Sequence, residues 1–175
     1  CNSGAEANEA AIKLARKFFK EAGQPGRFRI ISMEQSFHGR TMATLSATGQ
    51  EKIKSGFDPL LEGFDFAPFD DIAALQAKVG PATAAVMLEP IQGEGGVRCP
   101  RPDFLKQVRS LCDEAGLLLI FDEIQTGMGR TGTMFAYEQS GVAPDIMTLA
   151  KALANGLPMG AMLARERVAA AFGPG

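Results

Sequence analysis

A long apolar run that ends in two acids constrains this chain most. Residues 117–121 read Leu-Leu-Leu-Ile-Phe, and Asp122 and Glu123 follow directly. An apolar run without alternation is typical of a strand buried on both faces, as in a parallel sheet covered by helices. Because a buried carboxylate is costly, the acids are expected where the strand leaves the sheet. Ligands bind beyond the carboxyl ends of such strands, so Asp122 is a candidate binding residue; the alternative is a surface acid that merely ends a strand.

Strands and helices alternate along the rest of the chain. Residues 3–22 carry one apolar stripe behind a Ser3/Glu6 capping pair, which predicts a helix. Further helices are predicted after Thr41 (a short one), from Asp70 or Asp71 to residue 79, over 102–115, over 134–139, and from Glu166. The predicted strands are 29–33, 84–88, 117–121, 145–150 and 158–164. This order predicts an α/β fold with a mostly parallel sheet flanked by helices.

Composition excludes several classes of protein. The 175 residues are 46% hydrophobic and 22% charged with a net charge of −2, so charge alone does not favour nucleic-acid binding. No apolar run reaches membrane-spanning length. Cys1, Cys99 and Cys112 form neither a metal-ligand pair nor a disulfide framework, which favours a reducing cytoplasm and no metal site. The chain has no initiator methionine, and we expect it to be the interior of a longer protein.

Polar and aromatic side chains follow the first four predicted strands, and they meet at one edge if the strands are parallel. They are Phe37 and Arg40 after the first strand, Glu89 after the second, Asp122 with Gln125 after the third, and Lys151 after the fourth. The first helix opens on small residues, Ser3, Gly4 and Ala5. Its free N–H groups and dipole favour an anion such as phosphate, although an ordinary capped helix has the same pattern.

This set of residues fits pyridoxal phosphate. The cofactor's aldehyde needs an amine, and Lys151 can form a Schiff base with it. Asp122 is the acid that keeps the pyridine nitrogen protonated, Phe37 offers a flat apolar face to the ring, and Gln125 offers a donor to the ring hydroxyl. The helix start at residues 3–5 offers N–H groups to the phosphate.

Two segments match nucleotide-binding motifs and offer alternatives to pyridoxal phosphate binding. Residues 127–132 (GMGRTG) match the dinucleotide fingerprint, but Asp122 and Glu123 precede them and would repel a pyrophosphate, so these glycines are predicted to form a turn. The apolar run before two acids also matches the Walker B segment of ATPases. That reading needs a G-x-x-x-x-G-K-[ST] sequence, which this chain lacks. Because that sequence could lie outside these 175 residues, a P-loop ATPase fragment stays as the alternative.

Five segments carry a resemblance to a known family: residues 2–9 (NSGAEANE), 37–41 (FHGRT), 89–96 (EPIQGEGG), 122–132 (DEIQTGMGRTG) and 150–153 (AKAL). The chain resembles the class III aminotransferases of fold type I. Within that family it is most similar to the group that acts on acetylornithine. That finer likeness rests on residues 38–41 running into 45–49 (LSATG) and on 135–137 (FAY).

The resemblance implies a role for each residue of the predicted site. Lys151 and Asp122 would be catalytic, and Arg40 would bind the α-carboxylate of N-acetylornithine. Glu94 would pair with an arginine beyond residue 175 that opens to receive 2-oxoglutarate. The cofactor would be contacted by Ser3, Gly4, Ala5, Phe37, Glu89, Asp122, Gln125 and Lys151.

The same resemblance implies a partial large domain over 1–175, without the N-terminal segment and the small C-terminal domain. The intact enzyme would be a cytoplasmic homodimer of arginine biosynthesis, and the chain alone would be inactive. Succinylornithine, succinyl-diaminopimelate, ornithine and 4-aminobutyrate stay open as amino donors. A catalytically dead relative acting as a binding module is the third alternative, and intact Lys151 and Asp122 argue against it.

Overall fold

The computed structural model describes residues 1–173 and contains one six-stranded sheet in the order β2-β1-β3-β4-β5-β6. The strands are β1 (Arg29–Met33), β2 (Phe64–Ala67), β3 (Thr83–Leu88), β4 (Leu118–Asp122), β5 (Ile146–Leu149) and β6 (Ala161–Ala164). The helices are α1 (Gly4–Glu21), α2 (Met42–Ala47), α3 (Glu51–Lys54), α4 (Ile72–Lys78), α5 (Phe104–Ala115), α6 (Tyr137–Ser140) and α7 (Glu166–Ala169), with a 3-10 turn at Lys151–Ala154.

The sheet is parallel except at one edge. β2 through β5 pair in parallel, and β6 pairs antiparallel with β5. The predicted α/β class with a mostly parallel, helix-flanked sheet is confirmed. Parallel strands of this kind bring their carboxyl ends to the same edge, which is where the predicted site residues follow them.

The apolar run at the centre of the sequence forms β4, and all five of its residues are buried. Its side chains alternate between the two faces of the sheet. Leu119 and Phe121 pack with α4 and α5, whereas Leu118 and Ile120 pack with α1. Helices on both faces therefore explain why the run is continuously apolar rather than alternating. Asp122 is the last residue of the strand, where it lies opposite Thr148 of β5.

The first helix has the caps that its sequence predicts. The Ser3 side chain accepts a hydrogen bond from the Glu6 N–H at 3.2 Å, and Gly23 follows the helix with a φ of +74°. The reciprocal half of the capping box differs from the prediction, because the Glu6 carboxylate accepts from Asn2 N–H at 2.7 Å instead of from the Ser3 N–H. The helix start is therefore held rigidly over residues 2–6.

Three elements were not predicted from the sequence. β2 is a short edge strand whose sequence Phe-Asp-Phe-Ala carries a charge in its middle, and Asp65 pairs with Arg29 of β1 at 2.6 Å. The other two are α3 at Glu51–Lys54 and the 3-10 turn at Lys151–Ala154. The predicted turn over residues 127–132 is confirmed. Among the residues that the structure describes, no helix has both the length and the apolarity needed to cross a membrane.

Candidate active site

A cavity of about 400 Å³ opens at the carboxyl ends of the parallel strands. It lies between the start of α1, the loop after β1, the end of β4 and the segment after β5. Every predicted site residue except Glu89 and Glu94 lines it: Ser3, Gly4, Ala5, Phe37, Arg40, Asp122, Gln125 and Lys151. The topology therefore brings together residues that are up to about 150 positions apart in sequence.

The start of α1 forms one wall of the cavity. The first N–H groups of a helix have no acceptor within it, so those of Gly4 and Ala5 are available to an anion. Gly4 has no side chain in the way, and a side chain there would force Ile124 to move. A Cβ at this position would lie 2.7 Å from Ile124 Cδ1. The close approach of Ile124 keeps the helix start tight against the end of β4.

Asp122 lies at the floor of the cavity and is 3% exposed. Its Oδ2 accepts hydrogen bonds from Asn8 Nδ2 and from His38 Nδ1, each at 2.8 Å. Its Oδ1 accepts from the Ile124 N–H at 3.1 Å. The Asp122 carboxylate is therefore held in a fixed orientation, because three donors bind it and almost no water reaches it.

His38 shares the floor of the site with Asp122. Burial opposes protonation of its imidazole, but the hydrogen bond and the charge of Asp122, together with Glu89, outweigh burial and raise the pKa of His38. Its Nε2 has no hydrogen-bond partner among residues 1–173. The sequence offered a lone histidine with no indication of this contact, because Asp122 lies 84 positions away.

Lys151 is delivered by an unusual backbone conformation. It follows β5 directly and has a φ of +47°, a left-handed conformation that costs energy for a residue with a side chain. Burial lowers the pKa of its amine, while the charges of Asp122 and Glu89 act in the opposite direction and do not cancel the effect. A lowered pKa increases the fraction of neutral amine, which is the nucleophilic form.

Phe37 and Arg40 lie together on the loop after β1. The Arg40 guanidinium carbon is 5.8 Å from the centroid of the Phe37 ring. Arg40 is exposed and Phe37 is half-buried, so the guanidinium is free to meet a ligand at the mouth of the cavity. A guanidinium matches a carboxylate through two parallel hydrogen bonds.

Comparisons with known proteins agree with this geometry. The family model for class-III aminotransferases matches residues 1–175. This chain belongs to the class-III aminotransferase family. The family relationship removes the P-loop ATPase alternative and confirms the predicted resemblance.

Three relatives show how far the likeness to class-III aminotransferases extends. The acetylornithine aminotransferase of Myxococcus xanthus is 58% identical over 175 residues, covering 100% of this chain and 44% of the relative. Acetylornithine aminotransferase 1 of Bradyrhizobium diazoefficiens is also 58% identical, covering 100% and 43%. The ornithine aminotransferase of Toxoplasma gondii, whose structure shows partial occupancy of PLP at the active site, superposes with a TM-score of 0.95 at 40% identity, covering 100% and 42%. The chain thus spans less than half the length of these relatives.

Two predicted contact residues of this class-III site lie outside the cavity. Glu89 is 2% exposed and sits behind Phe37, where its carboxylate accepts from the Phe37 N–H at 3.2 Å and the Gly93 N–H at 3.5 Å. Glu89 therefore does not line the cavity, and its contact with the cofactor stays a prediction. The strand end it follows was identified correctly, but its side chain turns back under the loop. Glu94 accepts a hydrogen bond from Gln50 Nε2 and does not line the cavity either.

Glu89 nevertheless belongs to the electrostatics of the site. Burial raises its pKa, as does the charge of Asp122, while His38 and the two N–H donors act in the opposite direction, and the result is a pKa of about 7. Gly93, one of those donors, packs against Gln125, since a Cβ there would lie 2.6 Å from Gln125 Oε1. The Glu89 carboxylate thus supports the backbone behind Phe37 and beside Gln125.

Several cavity residues had no signal in the sequence. Leu157, Pro158 and Met159 also line the cavity, and they arrive there because residue 160 pairs with Cys1. The Gly160 N–H donates to the Cys1 carbonyl at 2.7 Å, and the Cys1 amino group donates to the Gly160 carbonyl at 3.0 Å. Among residues 1–173, no group of three or more His, Cys, Asp or Glu side chains is placed to hold a metal.

Proposed function

We propose that the intact protein is a pyridoxal-phosphate-dependent aminotransferase that moves the distal amino group of N-acetylornithine to 2-oxoglutarate. The observation that carries this proposal is the placement of Lys151 and Asp122 in one cavity, with an open helix start and an aromatic ring beside them. The proposal extends to a cytoplasmic homodimer of arginine biosynthesis, which the likeness to acetylornithine aminotransferases supports.

The residues present fit pyridoxal phosphate. A dianionic phosphate suits the N–H groups of Gly4 and Ala5, where the absence of a side chain on Gly4 leaves the helix start open. The buried Asp122 carboxylate, surrounded by donors, suits a protonated ring nitrogen. Phe37 supplies the apolar face, and Gln125 lies at the cavity wall. When bound, the cofactor supplies an aldehyde that takes up an amino group and a conjugated ring that withdraws electrons from the substrate carbon.

Lys151 performs the proton chemistry in this proposal. Its amine sits at the cavity wall with a lowered pKa, so it can hold the cofactor covalently and, once displaced by the substrate amine, can accept and return a proton at the reacting carbon. Asp122 would offer its carboxylate to the ring nitrogen and so favour the protonated form of that nitrogen. The two residues divide the work between proton transfer and electrostatic stabilisation.

Arg40 determines which end of the donor enters first. Its guanidinium at the cavity mouth would bind the α-carboxylate of N-acetylornithine, which directs the distal amine inward. The acetylated α-amino group carries no charge, so it makes no demand for a carboxylate near Arg40. Glu94, which accepts a hydrogen bond from Gln50, is proposed to hold the arginine that receives 2-oxoglutarate.

The proposal is tested on the full-length protein with added pyridoxal phosphate. Borohydride reduction should leave a pyridoxyl group fixed on the peptide that contains Lys151. A donor screen with N-acetylornithine, succinylornithine, ornithine, succinyl-diaminopimelate and 4-aminobutyrate should then rank N-acetylornithine first with 2-oxoglutarate as acceptor. Labelling on Lys13 or Lys106 would overturn the site, and a different preferred donor would overturn the substrate while leaving the cofactor assignment intact.

A further inference from the structure

One buried side chain of α1 makes contacts that the proposed chemistry does not use. Asn8 is fully buried, and its Nδ2 donates both to Asp122 Oδ2 and to the His38 carbonyl, each at 2.8 Å. Its Oδ1 accepts from the Thr148 hydroxyl at 2.7 Å. One amide therefore ties α1 to the end of β4, to the loop after β1 and to β5.

The orientation of this amide is determined by its surroundings. The His38 carbonyl and the Asp122 carboxylate are both acceptors, so the amide nitrogen must face them. The Thr148 hydroxyl then supplies the donor that the amide oxygen needs. A flipped Asn8 would set its oxygen against two other oxygens, which is costly in a buried site.

The hydrogen bonds from Asn8 and His38 determine which oxygen of Asp122 keeps an open acceptor position. Each carboxylate oxygen has two lone-pair positions. Oδ2 receives Asn8 Nδ2 and His38 Nδ1 and is saturated, whereas within residues 1–173 Oδ1 receives a hydrogen bond only from the Ile124 N–H. The open acceptor position therefore lies on Oδ1.

We propose that Asn8, oriented by Thr148, is a positioning residue that saturates Oδ2 of Asp122 and leaves Oδ1 to accept from the ring nitrogen of bound pyridoxal phosphate. The inference rests on the proposed function and adds a residue to it. Asn8 also lies one turn after Gly4 on the same face of α1, because residues four apart on a helix are neighbours. The rigid helix thus sets the distance between the N–H groups offered to the phosphate and the carboxylate offered to the ring.

The test uses the full-length protein, stripped of cofactor and titrated with pyridoxal phosphate. Asn8→Asp keeps the shape but replaces the donor with an acceptor that faces Asp122. We expect the cofactor's dissociation constant to rise about tenfold or more, since a hydrogen bond to a charged group contributes about 1.5–3 kcal/mol. We also expect the visible circular dichroism per bound cofactor to fall to about half, because the ring loses its fixed orientation.

Thr148→Val and Thr148→Ser provide the second, gentler pair of variants. Valine matches threonine in shape but removes the hydroxyl that orients Asn8, so it should change both signals in the same direction by a smaller factor. Serine keeps the hydroxyl and should restore both to within about twofold of wild type. This pair decides the proposal if Asn8→Asp does not fold.

Thr83→Val is the matched control. Thr83 is also a buried threonine of the sheet, and its hydroxyl accepts from the Gly80 N–H at 2.9 Å at the opposite end of β3. It should lower the thermal midpoint as much as Thr148→Val does while leaving cofactor affinity and dichroism unchanged.

The outcomes separate this inference from the proposed function. A wild-type protein that binds no pyridoxal phosphate would overturn both. A wild type that binds it, with Asn8→Asp and Thr148→Val indistinguishable from Thr83→Val in affinity and dichroism, would overturn the positioning role and leave the proposed function standing. Weakened affinity and dichroism that Thr148→Ser restores would support it.

Discussion

At the scale of single residues, the charge of Asp122 has the largest predicted effect on chemistry. A contact charge pair contributes on the order of 4 kcal/mol at an effective dielectric near 20, and each 1.36 kcal/mol is about a factor of ten in rate. Asp122→Asn in the full-length protein should therefore lower turnover by roughly two to four powers of ten at saturating cofactor. Turnover within about tenfold of wild type would contradict the role given to this carboxylate.

The contacts of Asp122 also change what this variant is expected to do to stability. From the sequence alone, asparagine at a strand end would leave the fold unaffected. In the structure three donors converge on the carboxylate, from Asn8, His38 and the Ile124 N–H. An asparagine amide would set N–H groups against at least one of them, so we expect a lower thermal midpoint as well, by about 1–3 kcal/mol in unfolding free energy. Calorimetry of the cofactor-free protein measures this change in unfolding free energy.

Arg40 is predicted to affect the substrate and not the cofactor. Arg40→Lys keeps the positive charge but loses the paired hydrogen bonds, so the KM for the amino donor should rise about tenfold while cofactor content stays normal. Arg98→Lys is the matched control, because the Arg98 guanidinium carbon also lies 5.8 Å from a phenylalanine ring but outside the cavity. Loss of cofactor with an unchanged donor KM would reverse the assignment.

The sequence predicts residues that meet the cavity better than residues that support them. Asp122 and Lys151 were found because a strand end next to an apolar run marks the site edge. Asn8 was not found, since its partners Asp122 and Thr148 lie 114 and 140 positions away and nothing local identifies them. Glu89 shows a second limit, because the strand end is correct but the direction of the side chain beyond it depends on the loop that folds over it.

At the scale of elements, the segment after β5 is held against the start of α1 by a glycine. A Cβ on Gly160 would lie 2.3 Å from the Ser3 carbonyl oxygen, so Gly160→Ala must separate the two segments. We expect a stability loss of about 1–3 kcal/mol and weaker cofactor binding, because the wall at Leu157–Met159 moves with it. Thermal melts and cofactor titration of the full-length protein test this.

Gly26→Ala is the matched control for that prediction. A Cβ on Gly26 has nothing within 4 Å, and its φ lies outside the left-handed region. Its effect should stay within about 0.5 kcal/mol. Equal effects of the two substitutions would show that Gly160 does not hold the segment.

Elements were predictable where burial on both faces dictates the sequence. Apolar runs predict β3 and β4, and an apolar stripe predicts α5, because each pattern has one structural explanation. β2 was missed because an edge strand is half-exposed and tolerates a charge such as Asp65, which leaves only four residues and no distinct pattern.

At the scale of the whole molecule, the raised pKa values of the buried Glu89 and His38 side chains predict that stability depends on pH. The folded protein raises the pKa of Glu89 from 4.5 to about 7, so between those values the folded state holds a proton that the unfolded state has lost. This contribution is fully present below pH 4.5 and is lost as pH rises to about 7. His38, whose pKa is also raised, acts in the same direction.

Glu89→Gln removes the Glu89 contribution to this effect, because glutamine has no charge at any pH. Its thermal midpoint should fall less between pH 5 and pH 8 than that of wild type. Glu94→Gln, an exposed change, should leave the wild-type dependence intact. Measurements above pH 5 avoid the acid range in which Asp145 and Asp65, whose pKa values are lowered, begin to lose their ion pairs. A Glu89→Gln profile parallel to wild type would contradict the prediction.

The pairing of Cys1 with Gly160 and of Asn8 with Thr148 joins segments separated by 159 and 140 positions. Contacts of such long range form slowly, because a long loop must close before they contribute. Pulsed hydrogen exchange during refolding should find the amides of α1 protected after those of β1, β3 and β4. During synthesis part of the apolar stripe of α1 therefore stays exposed until β5 and β6 emerge, and over that interval the nascent chain offers a binding surface to chaperones.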